Sequence, residues 1–196
     1  MKTLRSIFLA VCAALLLSHA RATTVIPPSF DELVAQAEII FQGSVTDTRS
    51  EWVGEGGQRH IVTYVTFKVE DAVKGEPGAA YTMRMLGGTV GDQTMKVTDS
   101  PEFKVGDRDI LFVEHNGTQF VPLVGIMHGR FRVNGDAAKG TVLTNSGEAV
   151  SDVAQLGKED VFTGKAQGTA NAAGASAMDA NAFKAAIRAK LRETTR

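Results

Sequence analysis

Three patterns of apolar residues follow one another along this chain. The first is an unbroken run of eleven apolar and small side chains at residues 7–17. The second is helical: Phe30, Leu33, Val34 and Ala37 recur three and four apart, which predicts a short amphipathic helix over 30–37. Pro27-Pro28 cannot lie inside a helix, so the chain enters extended. Ser29 then stands as an N-cap, with Glu32 three residues later completing a capping box.

The third pattern is alternation, and it occupies most of the chain. Residues 38–46 carry Ile39, Phe41, Gly43 and Val45 on one face. Residues 61–73 set Val65, Phe67 and Val69 against Thr66, Lys68 and Glu70. Tyr81, Met83 and Met85 alternate with Thr82 and Arg84. Polar or glycine-rich stretches separate these strands: a loop at 49–58, a turn at 74–78, and a loop from Gly87-Gly88 to about Pro101. Residues 109–115 and 118–124 flank Asn116-Gly117, a strong signal for a two-residue hairpin. Residues 129–133 and 140–144 form another pair around Asn134-Gly135-Asp136. About seven closely spaced strands after one helix predict a mainly β, antiparallel barrel or sandwich. Phe41, Val65, Phe67, Val69, Leu111 and Val113 are the expected inward face. Residues 163–177 are rich in Ala, Gly and Ser with no apolar period, and read as a linker. Asp179 then caps a last helix with Phe183, Ile187 and Leu191 on one stripe, expected to dock on the parent domain.

The first apolar run gains meaning from its flanks. Lys2 and Arg5 precede it, and Ala20-Arg21-Ala22 supplies a small-x-small cleavage pattern, so residues 1–22 read as a secretory signal peptide. The run is shorter than the roughly 20 apolar residues a membrane span needs. The expected map is a signal at 1–22, a β-domain at 23–162, a linker at 163–178 and a separate C-terminal helix at 179–196. The expected location is exported, periplasmic or secreted. Without Lys2, Arg5 and Arg21 the mature 174 residues hold 18 Lys and Arg against 22 Asp and Glu. That mild acidity argues against nucleic acid and anionic membrane surfaces as partners. The single cysteine, Cys12, lies inside the signal. The mature chain therefore has no disulfide, thiolate metal site or cysteine nucleophile. Val11 before Cys12, where a small Gly or Ala is expected, argues against lipid attachment there.

Candidate chemistry is sparse. His60, His115 and His128 show no paired-ligand spacing. No metal and no cofactor is expected. The glycine-rich stretches 54–57 and 87–92 do not join a strand to a helix start, so neither is a phosphate cradle. No Gly-x-Ser-x-Gly elbow is present. Asp31 and Glu32 suit the start of a helix. Trp52, in a polar loop, is the best single sign of recognition, since aromatic residues dominate binding hot spots; packing over a barrel end explains it equally well.

One arrangement is familiar. The helix from Ser29 to Ala37 runs directly into Glu38-Ile39-Ile40-Phe41-Gln42-Gly43-Ser44-Val45; a long strand ends in Val73-Lys74-Gly75; and Phe103-Lys104-Val105-Gly106-Asp107-Arg108-Asp109-Ile110-Leu111-Phe112 follows. Over about residues 23–133 this resembles a widespread set of uncharacterised bacterial exported proteins. More distantly it is similar to the netrin-like module of tissue inhibitors of metalloproteinases, an OB-type five-stranded Greek-key barrel. In those inhibitors an N-terminal cysteine meets the protease zinc; here the mature segment begins Thr23-Thr24 and lacks it. The resemblance implies an OB-like Greek-key barrel and places Thr23, Thr24, Trp52, Gly87 and Gly88 on one binding surface. The leading expectation is a non-catalytic protein-binding module, with a secreted protease as the partner the resemblance suggests. Two other readings stay open: an extracytoplasmic hydrolase or metal-dependent enzyme with loop-borne residues, and an envelope structural protein.

Overall fold

The computed structural model describes residues 27–158 and 176–194. The signal segment, its cleavage site, Thr23, Thr24 and most of the expected linker lie outside the described residues.

The capping box forms as its spacing predicts. The Ser29 hydroxyl accepts from the Glu32 amide, and the Glu32 carboxylate accepts from the Ser29 amide at 2.8 Å. It starts α1, Phe30–Gln36. At the other end of α1 the Lys74 ammonium donates to the carbonyls of Val34 and Ala35, which a helix leaves without internal donors. Burial there holds the Lys74 pKa below its ordinary value.

Eight strands follow: β1 Ile39–Val53, β2 His60–Lys74, β3 Ala80–Leu86, β4 Gly88–Val90, β5 Gln93–Met95, β6 Arg108–Val113, β7 Arg130–Asn134 and β8 Thr141–Thr144. Six of them form one antiparallel sheet in the order β3-β2-β1-β6-β7-β8. The fold is mainly β and antiparallel, as the alternation predicts. The end strands β3 and β8 do not pair with each other, so the strands do not close into a barrel. Three register shifts along β1, the last between Val45 and Asp47, interrupt its pairing with β2. Such bulges bend and twist a strand. Gly43 lies between two of them: a Cβ there would come within 2.7 Å of the Lys68 carbonyl. Only glycine allows β1 and β2 that approach.

Each face of the sheet carries a buried core. On one, Phe41, Val65, Phe67, Met83, Leu111 and Val113 form a core with Val69 packed at its margin, matching the expected inward set. Phe67 sits edge-on to Phe41 and Phe103 at 5.7 and 5.5 Å. On the other face, Ile40, Ile110, Phe112 and Phe131 meet α1 and the last helix, α2, Ala180–Thr194. α2 is part of this core rather than a separate helix. Phe183 and Ile187 are fully buried, and Phe183 contacts the rings of Phe30, Phe112 and Phe131. Lys184 and Arg188 both bind the Asp71 carboxylate on β2, fixing the helix in place.

Three local expectations change. β1 runs on through residues 47–53, which the sequence reads largely as loop. This arm pairs with β2 but leaves four consecutive residues, 46–49, exposed, so no apolar alternation marks it. The 87–101 loop contains the β4–β5 hairpin. Finally, Asn116-Gly117 does not turn a two-residue hairpin. The positive φ angles fall on His115 and Gly117, and a single bridge, Val113 to Leu123, replaces the expected second strand. The Asn116 side chain is committed elsewhere: it accepts from the Arg84 amide and donates to the Thr82 carbonyl and the Tyr81 hydroxyl. Those tertiary bonds outweigh its local turn preference.

Candidate functional site

At the far end of the β1–β2 arm the chain builds a cleft of about 400 Å³. Its floor follows from the register. Ser50 pairs with Thr63, Thr48 with Val65 and Thr63 with Met85, so these residues share one face of the sheet. The β4–β5 hairpin forms one wall and the segment 96–103 the other. Gly87 and Gly88 sit where floor meets hairpin. The Gly87 amide donates to the Ile61 carbonyl, and the Thr63 hydroxyl donates to the Gly87 carbonyl at 2.6 Å. The Ser50 and Thr63 hydroxyls also bond each other. Gly88 has φ +135°, and a Cβ there would come within 2.2 Å of the Thr63 hydroxyl oxygen. Glycine is therefore a steric requirement of the cleft.

Trp52 pairs with Ile61 two residues beyond Ser50, on the same face of the sheet. Ile61 thus lies between Trp52 and Gly87. The Trp52 ring is half-buried with the Arg59 guanidinium 4.7 Å from its centre, a cation–π contact. Of the expected binding residues, Gly87 and Gly88 line the cleft, Trp52 extends its floor, and Thr23 and Thr24 lie outside the described residues. Pro28, which leads into α1, packs beside Gly125 and Gly157, at the opposite end of β1 from Trp52.

The lining is nearly neutral. Hydroxyls from Thr48, Ser50, Thr63, Thr89, Thr94 and Ser100 face Met85, Met95, Val97 and Phe103; Lys96 and Glu102 are its charged members. The cleft can accept hydrogen-bonding backbone and apolar side chains together. Its methionines can adapt to different shapes.

Sequence reasoning missed the group that holds the second wall. Arg130, at the start of β7, is 4% exposed. Its Nε donates to Asp109 at 2.8 Å, one Nη to Asp107 at 2.9 Å and the other Nη to the Glu102 carbonyl at 2.6 Å. The guanidinium also lies 4.1 Å from the centre of the Phe103 ring. One buried cation thus fixes residues 102–107 to the sheet. Burial pushes the Asp109 carboxyl above its ordinary pKa, with Arg130 opposing the shift. The sequence signal was the pair Asp107 and Asp109 at the entry to an otherwise apolar strand.

The three histidines among the described residues, His60, His115 and His128, do not converge on one site. His60 hydrogen-bonds the Gln58 carbonyl, and His115 lies near Glu38 and Glu114. Among the described residues no three His, Cys, Asp or Glu side chains group to hold a metal ion, and no helix is long and apolar enough to cross a membrane. Comparison with protein-family models, with curated proteins and with solved structures finds no match.

Proposed function

We propose that this chain is an exported, non-catalytic protein-binding module, and that the cleft between the β1–β2 arm and the β4–β5 hairpin is its binding site. The observation that carries this reading is the cleft itself. Glycine at 88 is a steric requirement there, hydroxyls and apolar groups converge, and Trp52 adjoins the floor. An extended segment of a partner protein presents the matching chemistry: backbone groups for the hydroxyls and an apolar side chain for the space between the methionines.

The finer fold reading, an OB-like Greek-key barrel, belongs to the same proposal. Residues 116–123 lie along the outer side of β3: the Leu86 amide donates to the Phe120 carbonyl, and Asn116 bonds Arg84 and Thr82. The same stretch reaches β6 through the Val113–Leu123 bridge. In this reading it takes the place of a barrel's fifth strand. OB-type modules recognise partners on a barrel face and its bordering loops, and in this reading the cleft takes that position. A secreted protease remains the partner that the netrin-like resemblance suggests. The export half of the proposal rests on the basic, apolar and small-x-small sequence of residues 1–22.

The test is a paired measurement. The mature chain captures its partner from envelope and culture supernatant, and Trp52→Ala is compared with wild type for affinity and melting temperature. The expected result is an affinity loss of about 2 kcal/mol or more with the melting temperature almost unmoved. A large fall in stability with unchanged affinity makes Trp52 a packing residue and removes the proposal's anchor. Mass spectrometry of the exported protein is expected to find Thr23 at the N-terminus; an intact Met1 refutes export by cleavage.

A further inference from the structure

The two outer edges of the six-stranded sheet, on β3 and β8, are covered. The outer edge of β3 bonds Asn116 and the Phe120 carbonyl. The outer edge of β8 bonds residues 148–150 and 178: the Val142 amide donates to the Met178 carbonyl, and the Val150 amide to the Val142 carbonyl. Inside the sheet, among the described residues, β2 is open past Val69, its last backbone bond on the β3 side, and a longer open stretch is the side of β1 beyond its pairing with β6. That pairing stops at Ser44, with two further backbone bonds at Val45. From Asp47 to Val53, β1 is bonded to β2 on one side. Among the described residues no backbone hydrogen bond meets it on the other. An uncovered edge is a template for another strand.

The side chains on this edge select a partner strand. Residues 47–53 read Asp-Thr-Arg-Ser-Glu-Trp-Val. Folded back on itself antiparallel about Ser50, this segment sets Arg49 opposite Glu51 and Glu51 opposite Arg49. Thr48 then faces Trp52, and Ser50 faces itself. Directly opposed residues lie on the same side of a sheet, so both charge pairs form together. Arg49 and Glu51 are accessible, with side-chain exposures of 61% and 39%, and already pair with each other within one chain.

We propose that this chain forms a two-fold dimer by antiparallel pairing of residues 47–53 of β1 with the same residues of a second copy, centred on Ser50. The interface is isologous and closes on itself, so it gives a dimer rather than a fibre. It joins two six-stranded sheets into one. It also brings the clefts of the two copies to either side of the two-fold axis, making the binding surface a doubled one.

Charge exchange tests this on the full mature chain with no partner protein present. Sedimentation equilibrium is measured for wild type, Arg49→Glu, Glu51→Arg, the double exchange, and an equimolar mixture of the two single variants. Wild type is expected to dimerise. Each single variant sets like charges against like charges across the axis and is expected to weaken the dimer about tenfold or more, since directly opposed like charges destabilise a strand pair. The double exchange is expected to restore it. The mixture is expected to form a heterodimer, because two acids in one copy then face two bases in the other. That last result separates the interface from the intrachain Arg49–Glu51 pair, which stays broken in both components. Wild type that is monomeric at the highest soluble concentration overturns the proposal. So does a dimer indifferent to the single substitutions, or a mixture that stays monomeric.

Discussion

Replacing Arg130 with methionine removes the cation that ties the cleft wall to the sheet. Asp109 is fully buried and Arg130 nearly so, so the loss is not softened by water as it is for a surface pair. Breaking a buried pair from one side costs about 3–5 kcal/mol, because a carboxylate is left buried without a counter-charge. Against a total stability of about 5–15 kcal/mol for a domain of this kind, that is a large share. Urea unfolding followed by tryptophan fluorescence reads it as a fall in midpoint with little change in slope. The deficit depends on pH in a definite direction. Burial raises the folded-state pKa of Asp109 above its ordinary 3.8, and Arg130 is the strongest influence opposing that rise; without Arg130 the carboxyl rises further. A raised carboxyl pKa means that the folded state favours the proton. The deficit is therefore largest at neutral pH and shrinks as the pH falls through the raised value. Pairing Arg130→Met with Asp109→Leu is expected to recover most of the loss, since a buried ion pair is often replaceable by apolar residues of similar size. A loss below ~1 kcal/mol at neutral pH, or a deficit that deepens in acid, would refute this reasoning.

Three further outcomes are expected. Phe67→Ala removes a fully buried ring packed between Phe41 and Phe103 and should cost about 3–5 kcal/mol in a urea melt; a loss under ~1 kcal/mol would mean that the site collapses around the gap or that the core is assigned to the wrong face. Hydrogen bonds from the Ser29 hydroxyl and amide hold Glu32 below its ordinary pKa of 4.5, so its contribution is present above that value and lost as pH falls through the lowered folded pKa; Glu32→Gln should flatten the acid limb of the stability curve, and an unchanged limb would place the acid sensitivity elsewhere. Phe183→Ala, on α2, should destabilise the whole sheet domain in one cooperative transition; a separate early transition for the helix would show that α2 is not part of the common core.

Much of this fold is legible in the sequence where local chemistry and tertiary packing agree. Ser29 and Glu32 announce a helix start, and that helix forms. Asn134-Gly135-Asp136 separates two short apolar runs, and β7 and β8 pair around it. The expected inward set lines one core because those residues face it at every second position. Legibility fails where tertiary bonds decide. Asn116 has the composition of a turn but spends its side chain on β3. Residues 47–53 look like loop because an exposed strand needs no apolar alternation. Gly87 and Gly88 were visible as a break, but the cleft around them depends on Ser50, Thr63 and the 96–103 segment meeting across the sheet. Arg130 and Asp109 are 21 positions apart, and no periodicity links them.

Site-specific photo-crosslinking in the source cell tests the binding site most directly. A photoreactive amino acid at Thr94, on the exposed lip of the cleft, is compared with one at Arg192, exposed near the end of α2. The cleft account predicts a covalent adduct to one other polypeptide from position 94, lost on adding Trp52→Ala, and none from position 192. Adducts from 192 alone, or an adduct at 94 indifferent to Trp52, would contradict it.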